Sequence, residues 1–210
     1  MTRKSNPWDR KTGRKSATRP LRQYLILCED EKSSRDYFAS FVVDSAFVKV
    51  ETVGCGRNTD SLVKEAIRRK GEAKEKDVTY AGIYCVFDRN SFPAERFNRA
   101  LELASNNGIE AIWSNECFEI WYLLHFCYRN TAVSRQELCK ELSKKNRLNR
   151  RYDKADVSLF SELEASLYVA IKNAERLLEH FGKEHNPERD NPSTNVHILV
   201  KKLLEIKSAA

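Results

Sequence analysis

Tyr80–Asn90, YAGIYCVFDRN, decides how the chain folds. It begins as a run of aromatic, branched and small apolar residues and stops abruptly on Asp88, Arg89 and Asn90. A short apolar run bounded by polar residues suits a strand buried on both faces, and such strands belong to parallel sheets covered by helices. In open parallel sheets ligands gather beyond the carboxyl ends of the strands, which is where Asp88 stands.

Working outward, residues 24–28 (YLILC) read as a second buried strand that ends on Glu29, Asp30, Glu31 and Lys32. Ser33 or Ser34 then caps a helix in which Tyr37, Phe38, Phe41 and Val42 recur at helical spacing. Residues 47–53 form the next strand candidate, and Thr59 or Asp60 starts a helix with Leu62, Val63, Ala66 and Ile67 on one face. Beyond the central strand, Pro93 opens a helix that closes at Gly108, and residues 109–113 make a fourth strand. Strand and helix alternate four times, which predicts a doubly wound α/β layer.

In a flavodoxin-like order the first and third strands lie side by side where the winding reverses. Two distant stretches then deliver Glu29 and Asp88 to one crevice, with Asn90 and Asp30 or Glu31 within reach. Carboxylate and amide oxygens gathered in this way are the ligand set of a hard cation, Mg²⁺ or Mn²⁺. The plainer alternative is that these groups only end strands and face solvent.

Composition narrows the function classes. The 210 residues are 41% hydrophobic, enough for a substantial core. The 37 Lys and Arg exceed the 30 Asp and Glu, a formal charge of +7 that suits a nucleic-acid partner. No segment reaches the roughly 18 to 20 apolar residues of a membrane span, and the amino terminus lacks the apolar stretch of a secretory signal. The six cysteines never form a C-x-x-C pair, so reduced thiols in a cytoplasmic protein are expected. Residues 1–20 read as a basic flexible arm with seven Lys or Arg, able to meet phosphates while Trp8 stacks on a base, or serving only solubility.

After the fourth strand, Phe118, Trp121, Tyr122 and His125 share the face of a buried helix that carries two polar intruders, Asn115 and Glu119. A buried glutamate needs a partner, either a metal or a nearby Arg or Lys. His125 reads as a hydrogen-bonded core histidine. The last third is helical, with a capping box at Ser134–Glu137 and one amphipathic helix from Leu163 to Phe181. A final helix starts at Pro192 and Thr194. Between them, Arg147, Arg150 and Arg151 form a basic loop, readable as a solvated charge run or as the wall of a nucleic-acid groove.

The runs LILCEDEKSSRDYF, YCVFDRN, SNECFEIWYLLHF and NPSTNVHILVKKL resemble, in order and spacing, the RloB family, also called the RloB and abortive-infection AbiL second-component family. The resemblance covers residues 22–206. It implies a role in antiviral (phage) defence, usually beside a gene for an ATPase of the AAA or ABC type. It also implies a core like the Toprim domain of topoisomerases, primases and OLD-type nucleases. The expected fold is therefore a Toprim-like α/β core over residues 21–128, with a mainly parallel four-stranded sheet. A helical part over residues 129–210 packs on it.

The family's C-E-G-E-K-T-E motif stands here as Cys28-Glu29-Asp30-Glu31-Lys32-Ser33-Ser34, with Asp30 in the glycine's place, where it tolerates a left-handed backbone better than most residues. Its F-D-x-D motif stands as Phe87-Asp88-Arg89-Asn90, which loses one negative charge. The activity implied is metal-dependent phosphodiester hydrolysis by an endonuclease. Asp88, with Glu29 and Asn90, holds Mg²⁺ or Mn²⁺. Glu29 serves as general base or acid, and Glu31 supports it or a second metal. Lys32 or Arg89 holds the scissile phosphate, while Asn115 and Glu119 support the site. Expected partners are DNA or RNA, the ATPase, and further copies of the chain. The competing class is a non-catalytic subunit that binds nucleic acid or the ATPase, with Asn90 marking a decayed site. A small nucleotidyl-transfer enzyme could use the same crevice.

Overall fold

The computed structural model describes residues 21–41, 44–45, 48–56, 59–89 and 93–209. The expectations for the basic arm, Trp8, Val42, Phe47 and Asn90 lie outside them. Four parallel strands form the centre of the sheet: β1 (Arg22–Cys28), β3 (Val48–Gly54), β4 (Tyr80–Asp88) and β5 (Glu110–Asn115). They are flanked by two short antiparallel strands, β2 (Asp44–Ser45) beside β3 and β6 (Ser193–Thr194) beside β5. The order is β2-β3-β1-β4-β5-β6, so β1 and β4 are neighbours as expected. The four-stranded expectation is corrected to six. The two edge strands have only two residues each, too few for any alternation to register.

Alternation along the strands explains the two layers. Leu25, Leu27, Ile83, Cys85 and Phe87 face one side and pack against α2 (Thr59–Glu75) and α3 (Ala94–Asn106), using Leu62, Val63, Ala66, Phe97 and Ala100. Tyr24, Ile26, Tyr84, Val86 and Ile112 face the other side, where α1 (Ser33–Ala39), α4 (Glu119–Leu124), α7 (Leu167–Phe181) and α8 (Val196–Ala209) cover them. Each fully buried Leu, Ile or Phe stabilises the fold by about 1.5–3 kcal/mol before chain entropy is charged. The second face forms one continuous cluster from Tyr24 to Ile206, so the carboxyl third shares its core with the sheet. Tyr37 sits at its centre, within 5.3–6.3 Å of seven other rings.

The carboxyl third also closes the sheet edge. The Asn195 side chain accepts from the Trp113 N–H (2.7 Å) and donates to the Ala111 carbonyl (2.9 Å), imitating a further strand residue. Thr194 and Ser114 share a buried hydroxyl bond at 2.9 Å. The last helix therefore starts at Val196, after this clasp, and not at Pro192 or Thr194.

Three more expectations change. The amphipathic run from Leu163 is broken: α6 (Leu159–Leu163) passes through a 3₁₀ turn at Glu164–Ser166 before α7 begins. There the Ser166 hydroxyl donates to the Leu163 carbonyl, a local bond that competes with the helical ladder. Neither Ser33 nor Ser34 caps α1. Asp30 serves instead, accepting from the Lys32 and Ser34 N–H groups and the Ser34 hydroxyl at 2.6–3.3 Å. Asp30 is not in the left-handed region, so it replaces the family glycine by capping rather than by backbone tolerance. The capping box at Ser134, opening α5 (Arg135–Leu142), forms as read.

Candidate active site

The ends of β1, β4 and β5 are locked together by backbone bonds that continue past the strands. The Glu29 N–H donates to the Val86 carbonyl (2.9 Å), and the Arg89 N–H to the Ser114 carbonyl (2.8 Å). The Glu29 carboxylate accepts from the Asp88 backbone N–H at 3.0 Å. Two residues 59 positions apart thus share one crevice. Gly54, at the end of β3, makes room for the turn that follows β1: a Cβ there would sit 2.8 Å from the Glu31 Cα.

Burial pushes the Glu29 carboxyl up to about 7; Asp30 adds to the rise, and the Asp88 N–H and Arg135 oppose it. Burial also raises the Asp88 carboxyl well above the aspartate range, reinforced by the charges of Glu119 and Glu29 against the opposing pull of Arg135. Arg135, in the first turn of α5, reaches the Asp88 carboxylate at 3.1 Å. Among the described residues, Arg135 is the cation that faces this acidic pair.

A third carboxylate lies behind it. Glu119 is fully buried, and its Oε1 accepts from the Tyr152 hydroxyl (3.0 Å) and pairs with Lys154 (3.2 Å). Its Oε2 is buried with no hydrogen-bond partner among the described residues. Burial opposes ionisation, but Lys154, with help from the Cys117 thiol and Arg135, outweighs it and holds the Glu119 carboxyl below its usual value. The partner that a buried Glu119 required is thus Lys154.

The other expected site residues are dispersed. Glu31 and Lys32 are exposed, and a Cβ on Gly56 would sit 2.9 Å from a Glu31 carboxylate oxygen. Arg89 holds Glu188 through its carbonyl (2.9 Å) and carboxylate (2.8 Å), while Asn115 donates to the Pro187 and Glu188 carbonyls at 3.2 Å. Both therefore grip the 185–190 loop, where His185 lies between Trp113 and Phe181 and bonds Asp190. Arg147 pairs with Glu141, and Arg150 with Glu162 and Asp156. Arg151 forms no ion pair among the described residues. His125 is a core residue, donating to the Trp121 carbonyl at 2.9 Å, and burial lowers its pKa to about 4.

Sequence reasoning did not place Arg135, Tyr152 or Lys154 beside these carboxylates. The need for a partner to Glu119 was readable, but which of many basic residues would supply it depends on the return path of the chain.

No cluster of three or more His, Cys, Asp or Glu with metal-holding geometry occurs among the described residues. The oxygen donors Glu29 and Asp88 still fit a hard cation, since Mg²⁺ is commonly held by one or two carboxylates, with water and substrate phosphate completing its shell. No helix among the described residues is long and apolar enough to cross a membrane. No curated protein matches the sequence. The model of the RloB-like protein family matches residues 24–203, spanning both strand ends, the Glu119 helix and the clasp at Ser193–Asn195, and the chain belongs to that family.

Proposed function

We propose that this protein is a metal-dependent nuclease with a Toprim-like core, acting in phage defence beside an ATPase partner. The observation that carries the reading is the meeting of Glu29 and Asp88 at adjacent parallel strand ends, both with raised carboxyl pKa values. Carboxylates held together against their own repulsion are what a divalent cation relieves. Glu29 and Asp88 would hold the ion, with Asn90 as an amide donor. When bound, such an ion supplies Lewis acidity toward water and phosphoryl oxygen. Glu29, titrating near neutrality, is suited to hold or release a proton at its carboxylate. Arg135 keeps the Asp88 carboxylate oriented and partly neutralised in the resting protein. Glu119, itself held by Tyr152 and Lys154, keeps a fixed negative charge behind the pair.

A second reading, a nucleic-acid- or ATPase-binding subunit without catalysis, draws on two observations. Arg135 already bridges Asp88, and Asn90 stands where the family usually has a carboxylate. Incubating the purified protein with a panel of DNA and RNA substrates, with Mg²⁺, Mn²⁺ or EDTA, separates the two. The nuclease reading expects cation-dependent cleavage, lost in Asp88→Asn and strengthened or shifted to lower cation concentration in Asn90→Asp. Absence of cleavage in all three proteins, alone and with the ATPase added, rejects it.

A further inference from the structure

A cleft of about 840 Å³ lies between α5 and the loop that follows it, lined by Cys139, Lys140, Arg151, Tyr152, Asp153 and Lys154. Three cations face one carboxylate there, and only Lys154 has an ion-pair partner among the described residues, Glu119. The neighbouring Lys144, Arg147 and Arg150 are all paired with carboxylates. The cleft thus places Lys140 and Arg151, neither in an ion pair among the described residues, along one concavity, and like charges there favour an anion between them.

We propose that this cleft binds the phosphodiester backbone of a single-stranded nucleic acid through Lys140 and Arg151. The inference rests on the nuclease reading and names the form of its substrate. The volume has room for one or two nucleotides at a time. Tyr152 adds an aromatic wall, the companion of basic groups in single-strand grooves, and its hydroxyl is anchored on Glu119. Lys154 links the two sites: it lines the cleft, holds Glu119 at 3.2 Å, and through that charge acts on Asp88. The cleft is thus coupled to the acidic pair through Lys154 and Glu119.

The test is fluorescence anisotropy of a labelled single strand of about 12 nucleotides, titrated across salt in EDTA so that no cleavage is needed. Each phosphate contact on a single strand contributes about 0.7 to the log–log salt slope. Lys140→Ala/Arg151→Ala should lower the slope by about 1.4, which is about 25-fold weaker binding at 0.1 M salt referred to 1 M. Lys201→Ala/Lys202→Ala, on α8, removes equal charge and should leave the slope unchanged. Both pairs are exposed, and equal melting temperatures confirm folding. The proposal is overturned if the cleft variant keeps the wild-type slope, if the control loses as much, if a duplex of the same sequence shows the same loss, or if the wild type binds no strand. Cleft-dependent binding without cation-dependent cleavage would overturn the nuclease reading alone. Cleavage with undiminished binding by the cleft variant would overturn the cleft alone.

Discussion

Asp88, partly exposed, and Glu119, fully buried, are neighbouring carboxylates, and the charge of Glu119 acts on Asp88, yet the two titrate in opposite directions. Glu119 has Lys154 and the Tyr152 hydroxyl on one oxygen. Asp88 shares its crevice with Glu29 and has Arg135 against three repelling carboxylates, Glu119, Glu29 and Asp30. Burial acts on both, so the partners decide the sign. Glu119 is a compensated charge that the fold needs. Asp88 and Glu29 form an under-compensated pair, the condition a cation or a reaction can use.

The largest test removes the compensation. Lys154→Met leaves Glu119 charged and unpaired in the core, which should cost about 2–4 kcal/mol of stability in chemical denaturation. Glu119→Gln in the same chain should recover most of that loss. A neutral Lys154→Met would mean that Glu119 carries no charge, and the contrast with Asp88 would fail.

Next comes pH, measured on metal-free protein. A carboxyl raised on folding binds more protons in the native than in the unfolded state, so stability falls as pH rises through that interval. For Glu29 the interval runs from about 4.5 to about 7, and the loss is at most about 3 kcal/mol. Glu29→Gln should flatten this limb of the melting profile. The lowered Glu119 carboxyl has the reverse sign: its contribution is present above the usual glutamate pKa and disappears in acid, so Glu119→Gln should flatten only the acid limb.

The smallest effect separates Asp30 from the acidic pair beside it. As the cap of α1, Asp30→Gly should cost about 1 kcal/mol or less and leave cation binding by Glu29 and Asp88 intact. A large loss of binding would place Asp30 among the ligands.

The fold was legible where alternation and burial are strong. The run ending at Asp88 marked the central strand, and the alternation of elements gave the adjacency of β1 and β4, hence the meeting of Glu29 with Asp88. What stayed hidden depends on contacts between distant segments. Strand β6 is two residues long, and its pairing with β5 is fixed by Asn195, whose hydrogen-bonding role has no local signal. Arg135 reads as an ordinary first-turn residue of a capped helix, and only the tertiary fold brings it to Asp88. In the basic loop, Arg147, Arg150 and Arg151 look alike in sequence. Carboxylates on neighbouring segments neutralise the first two and leave the third in the cleft.

The most direct measurement is calorimetric titration of Mn²⁺ into the metal-free protein at a pH above 7, where Glu29 is ionised. The wild type should bind, and Asp88→Asn, which keeps the shape of the side chain but removes its charge, should bind at least about tenfold more weakly, a loss of about 1.4 kcal/mol. Equal binding by the two proteins would contradict the assignment of the Glu29–Asp88 crevice as the metal site.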